Sequence, residues 1–296
     1  MTNNDDVMLI MKQYRKRSRF GDLFHRVTQN KGAIVGLVIL GVIFSCLIIS
    51  VFISYESVTE YIVEDRLSPP SWKYPFGTDS MGRNQFLRIL YGTRYSILIG
   101  FGVVSFALCV GVILGSVAGF YGGTFVENII MRFTDVLSSI PGFLLSMVLI
   151  IVMGQTIPNL IIAVAVSSIP IFARVSRASV LTVRGLEFVE AARAIGFRDF
   201  RIIFTQVLPN ALSPVIVSTS SSIGMAILTA ASLSYLGFGV PFPRPEWGAL
   251  IAAGRDNVRT APWLQLFPGI AIMLVVLSLN LVGDGLRDAL DPKLKR

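Results

Sequence analysis

Apolar runs of about twenty residues recur along this chain. A helix needs roughly that length to cross the hydrocarbon of a bilayer. The runs lie at 33–54, 96–120, 132–153, 157–173, 212–236 and 264–282. With 53% hydrophobic and only 15% charged residues in 296 positions, the chain is more apolar than a soluble domain of this size. The expected fold is an all-α membrane protein of about six transmembrane helices, embedded in a lipid bilayer as a multi-pass protein. The first run is too long for the apolar core of a signal peptide and no small-residue cleavage site follows it, so it is expected to stay as the first span.

Only Gly154, Gln155 and Thr156 separate the third run from the fourth, which predicts a tight helical hairpin or a span with a re-entrant neighbour. Lys and Arg concentrate on the cytoplasmic side of short loops. Six spans with an inside N-terminus leave eight of the 26 basic residues in the two long outer loops and the remaining 18 inside. Both termini are therefore expected in the cytoplasm. Gly111, Gly115, Gly119 and Gly123 recur every four residues along the second span, and Gly32 and Gly36 do so more weakly at the first. Such spacing predicts smooth faces for close helix packing.

Several functions are disfavoured by what the sequence lacks. The net charge of +8 forms no basic stripe interleaved with aromatics, so no nucleic-acid partner is expected. Cys46 and Cys109 sit inside apolar runs, where packing is a better role than a disulfide, and no metal site is expected. The spans carry almost no ionisable groups, with Arg132 and Asp135 at one entrance and Asp284 at the last exit, which disfavours an ion-coupled carrier. None of the six lysines follows a glycine, so there is no phosphate-binding loop, and no hydrolase motif accompanies the single histidine, His25. No catalytic residue is expected.

The segment 174–209 is too long for a plain connection and has its own helical pattern. A helix over 186–195 is expected to stop at Gly196, and Asp199 to cap a second helix ending at Leu208 before Pro209. Glu190-Ala191-Ala192, then Gly196, then Leu208-Pro209 resembles the EAA loop of the membrane subunits of bacterial ABC importers. One departure is Gln206, where the pattern has an apolar residue. The resemblance implies that Glu190, Ala191, Ala192, Gly196, Leu208 and Pro209 dock into a separate ATPase and pass its closure to the spans. The small alanines suit close approach by another surface; a loop without a partner is the plainer alternative.

The stretches beginning at Pro75 (PFGTDSMGRN), Ser234 (SYLGFGVPFPRPEWGAL), Ala261 (APWLQLFPG) and Asn280 (NLVGDGLRDALDP) carry the likeness further. Together they resemble the C-type permease of dipeptide, oligopeptide and nickel importers. The resemblance implies a type I ABC importer transmembrane domain over 75–296, with 1–74 holding the N-terminal tail, the first span and the start of the outer loop. It also implies a homologous B-type permease, two ATPase subunits that carry ATP and Mg, an extracytoplasmic solute-binding protein and a place in the plasma or inner membrane. This chain itself is expected to bind no cofactor. Peptide is the expected cargo, with glutathione or nickel and other metal chelates as alternatives.

Two smaller features remain open in the sequence. Ser218, Ser221 and Ser222 belong to a hydroxyl run that either walls a polar pathway or bonds back to its own helix. Phe238, Phe242 and Trp247 in the second outer loop either line an outer mouth or anchor the loop at headgroup level. Asp284, Arg287 and Asp288 read as structural charges at the end of the last span.

Overall fold

The computed structural model describes residues 25–290. Most of the basic N-terminal tail, with Lys293, Lys295 and Arg296, lies outside them. The chain runs α1 Lys31–Phe52, α2 Tyr55–Thr59, α3 Gln85–Phe120, α4 Phe125–Ser139, α5 Gly142–Met153, α6 Ile157–Val183, α7 Glu187–Ala194, α8 Asp199–Tyr235, α9 Trp247–Ala253 and α10 Trp263–Leu290. No strand occurs among the described residues. Helices α1, α3, α6, α8 and α10 are each long and apolar enough to cross a membrane.

The third apolar run, expected at 132–153, is not one straight helix. Helices α4 and α5 meet at 86°. The cause is local: Ile140 precedes Pro141, whose ring disfavours helical backbone one residue upstream, and Ile140 is extended at φ −97°, ψ 129°. The 12 residues of α5 reach only about 18 Å, short of the hydrocarbon thickness, so α4 and α5 form a bent pair.

Helices α3 and α6 extend past their apolar runs with the added charges partnered. Helix α3 starts at Gln85 rather than near Ser96, capped by Asn84 Oδ1 accepting from the Phe86 and Leu87 amides. Its extra turns contain Arg88, which pairs with Asp79, and Arg94, which donates to the Ser50 carbonyl. Helix α6 continues past Ala173, with Arg174 paired to Asp135 at 3.0 Å and Arg177 to Glu127.

Helix α8 does not stop at Pro209. Ile203–Val207 form a π-turn, closed by the Leu208 amide donating to the Ile203 carbonyl. The widened turn falls just where proline removes a donor and its ring crowds the preceding turn, so the chain passes Pro209 as a helix. Gln206 lies in this turn, and Asn210 Nδ2 donates to its carbonyl at 2.6 Å.

The glycine series makes the principal contact, α3 against α6. A Cβ on Gly111 would lie 2.9 Å from the Ile169 carbonyl oxygen, and one on Gly119 2.7 Å from that of Arg177. At Gly115 it would meet the Ala173 carbonyl and lie 2.8 Å from Ser176 Cβ. Gly123 departs from the series: a Cβ there would meet nothing within 4 Å, and the residue serves the turn at φ +86°. Gly36 brings α1 against α10, with Ser278 O 2.8 Å from the Cβ it lacks.

Gly115→Leu should therefore force α3 and α6 apart and destabilise the protein by about 1–3 kcal/mol or more. Gly41, with open space around it, is the matched control. Melting in detergent should drop for Gly115→Leu and stay near wild type for Gly41→Leu; equal melting would refute the close packing.

The two ends of the bundle differ. At one, α7 packs on the C-terminal ends of α3 and α6 and the start of α8, and α10 ends there too. Asn30, the cap of α1, meets Asp288 there, Nδ2 to Oδ2 at 2.8 Å. The opposite end carries the loop 53–84, the α5–α6 turn and α9.

Candidate functional site

Eight residues are too few for a helix to stand alone, so α7 depends on what it packs against. Val189 and Ala192 are buried in a cluster with Phe120, Val180, Ile202 and Val207, which belong to α3, α6 and α8. Glu187 and Glu190 in the first turn and Arg193 in the last complement the helix dipole. Gly196 ends the helix at φ +84°: its amide donates to Arg193 O at 2.9 Å and that of Phe197 to Ala192 O at 3.1 Å. These two bonds form a Schellman stop, which calls for glycine at the left-handed position.

Side chains fasten this unit to the spans. Arg184 Nη1 donates to the carbonyls of Phe120 and Gly122, both at 3.0 Å, covering the free end of α3. Tyr121 donates to Asp199 Oδ2 at 2.9 Å. Asp199 accepts this bond as the first residue of α8; Arg198, not Asp199, occupies the cap position, and no side-chain cap bond forms. Helix α7 thus packs on a base in which the ends of α3, α6 and α8 are bonded to one another.

Of the residues expected to dock, Glu190, Ala191 and Gly196 are exposed, Leu208 is half-buried and Pro209 is exposed. Ala192 faces inward, so its small size serves packing onto the protein's own helices. The sequence reading missed the apolar part of the outward face: Leu186, Phe188, Ile195 and Phe200, the last two 71% and 74% exposed. Their spacing around Gly196 follows no single helical period, because two elements contribute them.

A cavity of about 690 Å³ opens among the adjoining ends of α6, α8 and α10. Ser218 and Ser221 line it, with Ser179, Thr182, Asn210, Asp284 and Arg287. Ser222 does not; its hydroxyl donates to the Ser218 carbonyl at 2.8 Å.

At the opposite end, α9 is wedged into the bundle. Trp247 is not at an outer mouth: its side chain is buried and Nε1 donates to the Ile89 carbonyl at 3.0 Å. Gly92 admits the Pro245 carbonyl against α3, and Gly248 admits α8. Phe238 packs on the main core, while Phe242 is exposed. Glu246 caps α9, accepting from the Gly248 amide at 2.8 Å and the Ala249 amide at 3.0 Å, with Ser96 Oγ at 3.4 Å. Burial pushes this carboxyl up, and those donors pull it only part of the way back.

A raised carboxyl is one that loses little when neutralised. Glu246→Gln, which keeps an acceptor for the α9 amides, should melt within about 1 kcal/mol of wild type at neutral pH, whereas Glu246→Ala should cost roughly 2–3 kcal/mol. Equal losses in the two variants, followed by melting in detergent, would contradict a cap made of hydrogen bonds.

Residues 111–296 match the family described as binding-protein-dependent transport system inner membrane component. The dipeptide transport system permease protein DppC of Alkalihalophilus pseudofirmus is 43% identical over 283 residues, covering 96% of this chain and 93% of that one. The glutathione transport system permease protein GsiD of Pectobacterium atrosepticum is 47% identical over 236 residues, covering 79% and 78%. In fold, the chain resembles a chain of the MetNI methionine ABC transporter in an inward-facing conformation. The TM-score is 0.56 at 18% identity, over 70% of this chain and 98% of that one. The packed base of α7, the bent α4–α5 pair and the wedge at α9 therefore lie in a permease of known descent, and the chain belongs to the family of binding-protein-dependent transport system inner membrane components.

Proposed function

We propose that this permease imports short peptides as one half of an ATP-driven transporter, with α7 as the helix on which ATPase closure acts. The observation that carries the reading is α7 itself. It presents Glu190, Ala191 and an apolar fringe outward, from a base tied to three spanning helices. A push on it is a push on α3, α6 and α8 together, the kind of rigid transmission alternating access needs.

The other parts of the machine follow from the same reading. A homologous B-type permease supplies the second half of the pathway, two ATPases bind ATP and Mg, and an extracytoplasmic binding protein delivers the solute. This chain binds no cofactor or metal and performs no catalysis. Both termini lie in the cytoplasm, with α7 on that side of the plasma or inner membrane.

Peptide as cargo draws support from the relatives named for dipeptides and glutathione, the latter itself a modified tripeptide. The cavity among α6, α8 and α10 suits such a solute. Ser218 and Ser221 offer neutral hydroxyls, and Asp284 and Arg287 offer one charge of each sign to a zwitterion. Metal chelates and glutathione remain the competing cargoes. Phe242, exposed on the loop before α9, is assigned to the outer mouth.

Purification of the chain with its native companions, reconstitution and ATP-driven uptake of a labelled dipeptide tests this. Recovery of a second permease and two ATPases, with uptake competed by dipeptides more strongly than by glutathione or nickel, is the expected result. Transport by the chain alone would overturn it.

A further inference from the structure

At the end of the bundle opposite α7, buried charge does not balance. Asp79, Arg83 and Arg88 are 4%, 3% and 3% exposed, and the single carboxylate pairs with both guanidiniums. The faces of Tyr61 and Phe242 lie 5.8 and 5.1 Å from the Arg83 guanidinium and offset part of its charge. Arg88 has no such help, and its Nε is buried without a hydrogen-bond partner. Burying a charged donor unpaired is costly, so its persistence calls for an acceptor.

Arg88 lines a cavity of about 360 Å³ whose wall also holds Gln155, Ser234, Phe242 and Arg244. No Asp or Glu is among the lining residues. Arg244 forms no ion pair among the described residues. Gln155 Nε2 already donates to the Gly237 carbonyl at 2.8 Å, which fixes the amide at the rim. Two guanidiniums thus line a space whose wall carries no anion.

We infer that this cavity is a carboxylate site, with the Arg88 Nε–H and the Arg244 guanidinium as its donors. A carboxylate is planar and accepts through two oxygens, which matches the flat donor array of arginine. It also fits a small cavity on a slim stem. The inference rests on the peptide reading above only for where the carboxylate comes from: the C-terminus of a peptide arriving at this end. An acidic side chain on a docked protein has the same chemistry.

The test uses the complete transporter in nanodiscs, with Ala-Ala and its C-terminal amide as probes, read by calorimetry without the binding protein and by uptake with it. Arg244 is exposed, so Arg244→Gln should fold; Arg88→Lys keeps the charge beside Asp79 but removes Nε. Wild type should bind the free acid more tightly than the amide, and each variant should cut that preference roughly tenfold, the worth of one hydrogen bond to a charged group. If acid and amide bind alike but both variants weaken the binding protein's own association roughly tenfold, the carboxylate is supplied by that protein and the site stands. Unchanged acid preference together with unchanged binding-protein affinity in both variants would overturn the inference. Uptake by the wild type tests the import reading separately, since binding of the two probes is measured without turnover.

Discussion

Asp79→Ala should destabilise the protein more than any other single change in the loop 53–84. Asp79 Oδ1 accepts from the Met81 amide at 2.9 Å and the Arg83 amide at 3.0 Å, while Oδ2 accepts from Arg83 Nε at 2.7 Å and from Arg88. Removing it leaves two buried guanidiniums facing each other, and breaking a buried pair in this way costs roughly 3–5 kcal/mol. Asp79→Asn keeps the size and one acceptor and should fall between. The loss of stability should be read as a fall in melting temperature of the purified protein in detergent; less than about 1 kcal/mol for Asp79→Ala would mean that solvent reaches both arginines.

The pH dependence has a definite sign. Burial pushes the Asp79 carboxyl up, but Arg88 and Arg83 more than offset this and hold it below the usual carboxylate range. The group is thus depressed in the folded state. Its contribution is fully present above the ordinary carboxylate pKa of about 4 and is lost as pH falls from there through the lower folded value. The gap in stability between wild type and Asp79→Asn should be constant from neutral pH down to about pH 5 and narrow only below about pH 4. A gap that narrows near pH 6 would point to another titrating group.

What the sequence made legible was set by where charge sits relative to apolar residues. The interiors of α1, α3, α6, α8 and α10 stand out because they are long and nearly uncharged. Their ends do not, since an apolar run stops at Arg94 or Arg174 and cannot see the Ser50 carbonyl or Asp135, which those arginines meet in the fold. The bend between α4 and α5 had a local sign, Ile140 before Pro141, that an apolar count overlooks.

The coupling segment was legible as a motif and less so as a surface. The spacing of Glu190, Gly196 and Leu208 located the turn and the short helix, because glycine at a Schellman stop is a local requirement. Which alanine faces outward depends on Phe120 and Val180, 72 and 12 residues back along the chain, so Ala192 could equally have been an external contact. Trp247 was misread for a related reason. A tryptophan in a polar outer loop resembles a headgroup anchor until Gly92 and Gly248 are seen to make room for α9 inside the bundle.

Gly196→Arg should uncouple the transporter without dismantling it. A side chain at φ +84° strains the backbone by about 1–2 kcal/mol. That strain falls on the two amide bonds that stop α7, so the last turn should shift. No atom lies within 4 Å of where the Cβ would go, so nothing inside the chain is displaced and the fold should persist. The new guanidinium would instead project beside Ile195 and Phe200, the most exposed apolar side chains of this segment. If that face meets the ATPase, a charge desolvated there without a partner weakens the contact that carries motion. Peptide uptake should fall at least about tenfold, equivalent to about 1.4 kcal/mol, while the ATPases still co-purify. Gly196→Asn separates the two causes, because asparagine tolerates the left-handed backbone and adds no charge. It should retain most of the uptake, and comparable loss in both variants would assign the effect to the turn itself. Normal uptake by Gly196→Arg would show that this face is not the one on which the ATPase acts.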